Sequence, residues 1–194
     1  MDAWIGSLIG GVTGGVIGHF TNHALVWIKE SLQSSPERKF ICAELVFLLE
    51  NYARKCAEVV NDDGEPSEPY GELQPITALP DVIDYTVIKG NWRALKSKTM
   101  YEICSMPPLQ HESIKLISFM GEMSSPPEHR EYFDERQFQF AQLGIKAAKL
   151  ACEIRKENHF PNGNLDAWVV PTMQAKILQI NSKRERYKDD DEGL

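Results

Sequence analysis

AWIGSLIGGVTGGVIGHFTNHALVWI, residues 3–28, contains no Asp, Glu, Lys or Arg, and within it Gly6, Gly10, Gly14 and Gly18 recur at every fourth position. At the ~1.5 Å rise of a helix the run reaches about 39 Å, more than the ~30 Å hydrocarbon layer of a bilayer. On a helical projection Gly6, Ser7, Gly10, Gly11, Gly14, Gly15, Gly18 and Asn22 gather on one side. Ile5, Leu8, Ile9, Val12, Val16, Phe20 and Trp27 take the other. In water so many glycines make a poor helix. In lipid the backbone must close its own hydrogen bonds, and small residues at a four-residue spacing let a second helix approach closely. The run therefore predicts a transmembrane helix that pairs with a copy of itself through its glycine face. Burial in the protein's own bundle and a lie along the interface are the competing placements.

The flanks give the expected anchor an orientation. Trp4 and Trp27 bracket the run, about 35 Å apart at helical rise, as interfacial aromatics do. Asp2 precedes the run, whereas Lys29, Arg38 and Lys39 follow it. The positive-inside bias then puts the N-terminus outside and the rest of the chain in the cytoplasm, at the inner membrane. A signal peptide is not expected, because the run has no basic segment before it and no small-x-small site after it. His19 and His23 lie four apart, in register with Gly11 and Gly15. They lack the Glu of an HExxH site and a third ligand, so interhelical hydrogen bonding is the favoured role, and with Asn22 they are the polar residues a pore would use.

The chain of 194 residues suffices for one domain beyond the anchor, and its net charge of −7 with a pI near 5.3 opposes general nucleic-acid binding. The acidity is local: Asp62, Asp63, Glu65, Glu68, Glu72, Asp81 and Asp84 form one stretch, expected as a solvated loop, and Asp189, Asp190, Asp191 and Glu192 another. The domain plan is a glycine-rich anchor over 1–33, a helical domain over 34–188 and an acidic tail over 189–194. Cys42, Cys56, Cys104 and Cys152 stand far apart in sequence, without metal-ligand spacing, among apolar helical neighbours. They read as reduced core residues in a reducing compartment.

Helical periodicity recurs through the domain. Ser35-Pro36-Glu37 has the form of a capped start, leading to a helix that ends at Asn61-Asp62-Asp63-Gly64 and is expected to bury Phe40, Phe47, Leu48, Tyr52, Cys56 and Val59. Pro66, Pro69, Pro75 and Pro80 mark 61–81 as a surface loop. Further helices are expected over 91–104, stopped by Pro107-Pro108; over 109–123; from Ser124-Ser125-Pro126-Pro127 to about Asn158, weakened at Gly144; and over 166–187, kinked or begun at Pro171. Trp92 and Trp168 read as core anchors. With no strand pattern of similar strength, the fold class is all-α: one transmembrane helix and a cytoplasmic bundle of four to five helices.

Three stretches carry a resemblance: Asn51 to Val60, Asp84-Tyr85 leading to Asn91-Trp92-Arg93-Ala94-Leu95, and Gly144-Ile145-Lys146-Ala147-Ala148 with Ile154-Arg155 before Phe160-Pro161. Together they resemble a group of bacterial membrane-anchored proteins of unknown function that pair an N-terminal hydrophobic helix with a helical cytoplasmic domain. The resemblance implies architecture and assigns no residue a role.

Chemistry leaves no pattern in the sequence. There is no GxSxG, no GxxxxGK[ST] and no GxGxxG after a strand; carboxylate pairs such as Asp62-Asp63 and Asp134-Glu135 are what any acidic chain contains. No cofactor is called for, and His111, His129 and His159 are expected at the surface. The expected function is a membrane-anchored, self-associating scaffold for an unknown cytoplasmic protein partner. A pore-forming effector gated by its cytoplasmic domain is the alternative, and a helical enzyme of unfamiliar type the third.

Overall fold

Residues 36–192 are described by the computed structural model, with side chains to Tyr187. Among them four helices dominate: α1 over 36–60, α2 Ser97–Met123, α3 Arg130–Asn158 and α4 Val169–Glu192. The described chain is thus of the all-α class, with one small addition. Residues Glu65–Ser67 (β1) and Glu72–Gln74 (β2) pair antiparallel, Pro66 opposite Leu73. The glycine-rich run, with Trp4, Trp27 and the expected Ser35 cap, lies outside the described residues.

Cross-helix pairs fix the topology. Glu50 meets Arg155 and Asp62 meets Arg136, so α1 runs antiparallel to α3. Lys98 meets Glu153 and Ser113 meets Gln139, so α2 does as well. Lys183 meets Asp134 on the same terms for α4. α3 is therefore a central strut with three helices antiparallel to it. α1 and α2 consequently point the same way, which requires the chain to travel back along the bundle between them; residues 61–96 make that return. The hairpin sits at the far end, held by Leu73 N donating to Pro127 O at 2.9 Å. Below it Gln110 Nε2 donates to Pro80 O, and Asn91 N donates to Glu37 Oε1 beside the start of α1.

α1 buries Ile41, Leu45, Leu49, Tyr52, Cys56 and Val60, a three-and-four spacing that faces the core. Phe40 and Phe47, expected inside, are 57% and 65% exposed. Tyr52, Cys56 and Val59 are buried as expected and Leu48 partly so; the departure is confined to the first half of the helix, where Ile41, Leu45 and Leu49 take the core positions. Phe47 instead lies under the Arg155 guanidinium, 6.0 Å from the ring centre.

The Pro107-Pro108 stop does not occur: α2 passes through both prolines. Ile103, Met106, Gln110, Ser113 and Ile117 form one buried stripe across the pair, and its packing outweighs the two lost backbone donors. Ser124-Ser125-Pro126-Pro127 also differs from expectation, closing α2 through Ser124 N to Met120 O rather than opening α3. α3 begins only after His129, whose φ of 45° separates the two helices. It ends at His159 (φ 56°), where Phe160 N closes on Arg155 O.

Gly144 leaves α3 unbroken and lies close against both α1 and α4. A Cβ there would lie 2.7 Å from Cys56 Cβ and against Met173 Sδ. Pro171 falls in the first turn of α4, where no intrahelical donor is needed. Trp168 is 50% exposed rather than a core anchor, while Trp92 is half-buried, edge-on to Tyr85. The strand pairing within 61–81 is a further departure: Gly64 (φ 79°) and Gly71 (φ 71°) supply its turns. The helical backbone of α4 also continues to Glu192, into the acidic segment read as a tail.

Candidate functional site

All the residues singled out for helix association and the interface, Gly6, Gly10, Gly11, Gly14, Gly15, Gly18, Trp4 and Trp27, lie outside the described residues, as do His19, Asn22 and His23. The described bundle offers three polar or apolar constellations that sequence reasoning did not find.

The first is a buried ion pair. Arg136 Nη1 donates to Asp62 Oδ2 at 3.0 Å, and its Nη2 reaches the Thr77 carbonyl. Asp62 also accepts from the backbone N–H groups of Gly64 (2.9 Å), Ile76 (3.3 Å) and Thr77 (2.8 Å). Burial pushes the Asp62 carboxyl up, but the donors of Thr77, Gly64 and Ile76 and the Arg136 charge outweigh it and hold the group below the usual carboxylate range. Gln137 Nε2 donates to both Asp62 O and Asp63 Oδ1, and with Lys176 it holds Asp63 low against a smaller effect of burial. The acidic stretch read as a solvated loop is therefore anchored at its start. Its chemistry is closed, since every oxygen of Asp62 already has a donor.

The second is a cleft of about 520 Å³ between α3, the start of α4 and the segment joining them. Its floor holds Arg155, whose Nε donates to Glu50 Oε1 at 2.7 Å and whose Nη1 donates to Pro161 O at 2.7 Å. Glu50 Oε2 faces Arg54 at 3.6 Å, and Arg54 donates to Asn164. A Cβ at Gly163 would stand 2.6 Å from Glu50 Oε1, so a larger residue there would displace the Glu50 carboxylate. A second cleft of about 480 Å³ continues from the first, sharing Lys149 and Gln174, and Lys98–Glu153 and Lys146–Glu102 pairs cross it. In the smaller cleft most charges pair, whereas in the larger one Lys149, Lys156 and Asp166 are in no ion pair among the described residues. Among the described residues no group of three or more His, Cys, Asp or Glu side chains is placed to hold a metal ion.

The third is apolar. Leu116, Phe119 and Met123 are exposed at steps of three and four along the C-terminal half of α2. Leu109 and Leu143 line a shallow groove of about 200 Å³ beside Leu116.

The cysteines divide. Cys42 and Cys56 are buried, as expected, and burial pushes both thiols up, opposed on Cys42 by Asn158 and on Cys56 by Tyr52. Cys104 is exposed and Cys152 half-buried, against expectation, because each sits one position off its helix's buried stripe. His111 and His159 lie at the surface, and His129 is half-buried against Ser124.

Comparison with protein-family models, with curated proteins and with solved structures finds no match.

Proposed function

We propose that the chain is a single-pass membrane protein that self-associates through residues 3–28 and holds its helical bundle in the cytoplasm as a scaffold for a protein partner. The observation that carries this reading is the charge-free run with glycine at every fourth position. Among the described residues no helix is long and apolar enough to cross a membrane, so in this reading attachment rests on that run. Two features of the bundle support the scaffold role. Its buried charges are spent on one another, as in Asp62–Arg136 and Glu50–Arg155. Its outer α2 face keeps Leu116, Phe119 and Met123 exposed, an apolar stripe suited to protein contact.

The test is membrane pelleting of the full chain followed by an alkaline carbonate wash, with cross-linking in the membrane. The chain stays in the pellet and cross-links to itself; Gly10→Ile with Gly14→Ile leaves it in the pellet and lowers the cross-linked fraction severalfold. Release of the intact chain by carbonate overturns the anchor. Dye escape from vesicles carrying the chain would replace the scaffold by a pore lined by His19, Asn22 and His23.

A further inference from the structure

The two ends of the bundle differ in charge, and the basic end is the one to which residues 1–35 are joined. The start of α1, the turn before α2 and the end of α3 meet there: Asn91 N bonds Glu37, Lys96 pairs with Glu157, and Arg38 and Asn158 share one crevice. Lys39, Lys89, Arg93 and Lys156 are exposed at this end. None of the four is in an ion pair among the described residues. Of the carboxylates nearby, Glu153 and Glu157 are paired with Lys98 and Lys96, Glu37 and Asp84 accept from the uncharged Asn91 and Thr86, and Glu44 and Asp166 are exposed; with Arg38, the cations outside ion pairs among the described residues still outnumber such carboxylates. Phe40 adds an exposed ring beside Lys39. At the opposite end Asp63, Asp134 and Glu135 are paired with Lys176, Lys183 and Arg184, and Glu65, Glu68 and Glu72 on the hairpin are in no ion pair among the described residues.

We infer that this basic end docks on anionic lipid headgroups, so that the bundle stands end-on to the membrane with its hairpin farthest away. The inference rests on the anchor reading for one thing, proximity: eight residue steps separate residue 36 from Ile28, the end of the uncharged run, so the two are at most about 29 Å apart. Charge complementarity supplies the rest. Each Lys or Arg near an anionic leaflet strengthens attraction about fivefold, and the effect fades beyond a Debye length of about 8–10 Å. The hairpin's carboxylates are repelled by the same surface, which fixes the orientation.

Lysine acetylation footprinting tests this, using the full chain with vesicles of phosphatidylcholine alone or with phosphatidylglycerol, read by mass spectrometry. Lys39, Lys89 and Lys156 should be acetylated at least threefold more slowly with phosphatidylglycerol, while Lys55 and Lys115, exposed elsewhere on the bundle, keep their rates. The protection should vanish in 0.5 M salt, and Lys39→Glu with Arg93→Glu should return Lys89 and Lys156 to the neutral-vesicle rate. Equal rates in the two vesicle types overturn the docking, whatever the carbonate wash shows. A chain that carbonate releases yet phosphatidylglycerol protects keeps the headgroup contact and loses only the anchor.

Discussion

Arg136 and Asp62, 74 positions apart, meet at 3.0 Å with both side chains 1% exposed. The pair binds the end of α1 and the return segment to the central helix at a place water does not reach. Asp62→Asn removes the charge and leaves the guanidinium buried alone, a change that costs about 3–5 kcal/mol. The native carboxyl is held below 3.8, so the unfolded chain takes up the proton first. The stabilisation is therefore complete above about pH 4 and is lost as pH falls through the lower native value. Urea denaturation followed by helical circular dichroism should show the variant well below wild type at pH 7, with the gap narrowing as pH falls below about 4. A gap that stays constant with pH would mean that the carboxylate charge is not what holds the site.

Gly144→Ala separates helix propensity from packing. Alanine favours an isolated helix by roughly 1 kcal/mol, and a reading from sequence alone expects a gain. Here the new methyl meets Cys56 Cβ at 2.7 Å, an atom fixed by the backbone of α1, as well as the softer Met173 thioether. Overpacking of this kind costs about 1–3 kcal/mol, so the variant should melt at lower temperature than the parent. Adding Met173→Ala should recover little of the difference introduced by the methyl, because the Cys56 contact persists. A rise in melting temperature for Gly144→Ala would show that α1 and α3 are farther apart than this.

These two sites mark the boundary of what could be read in advance. The helical class, the end of α1 at Asn61-Asp62-Asp63-Gly64 and the placement of Pro171 near the start of α4 follow from local rules, in which caps, glycine and proline act within one turn. Pro107-Pro108 defeats the same rules because the stripe from Ile103 to Ile117 is anchored on α3, and no local signal reports that packing. In the first half of α1 the burial of Ile41, Leu45 and Leu49 in place of Phe40 and Phe47 has a related cause: hydrophobicity does not say which stripe fits the facing helix. Asp62 looked like any acid in an acidic loop. Its partner lies on another helix, and only the topology brings Arg136 to it. The paired clefts around Arg155 and Lys149 are equally non-local, being assembled from α1, α2, α3 and α4.

Cysteine accessibility offers a direct check on the helix phases. Cys42 and Cys56 face the core, and burial raises both thiols above the ordinary value of 9.0, which leaves almost no thiolate at neutral pH. Cys104 stands next to the buried Ile103 but points off the α2 stripe, and Cys152 borders the larger cleft. Iodoacetamide at pH 7.5, followed by peptide mass spectrometry, should modify Cys104 first and Cys152 next. Cys42 and Cys56 react only through opening of the bundle, so their rates should be at least ~100-fold lower than that of Cys104. In urea all four should converge. If Cys56 instead reacted in the folded chain as fast as Cys104, the contact of α1 with Gly144 could not exist, since alkylating reagent has no room where even a methyl group collides.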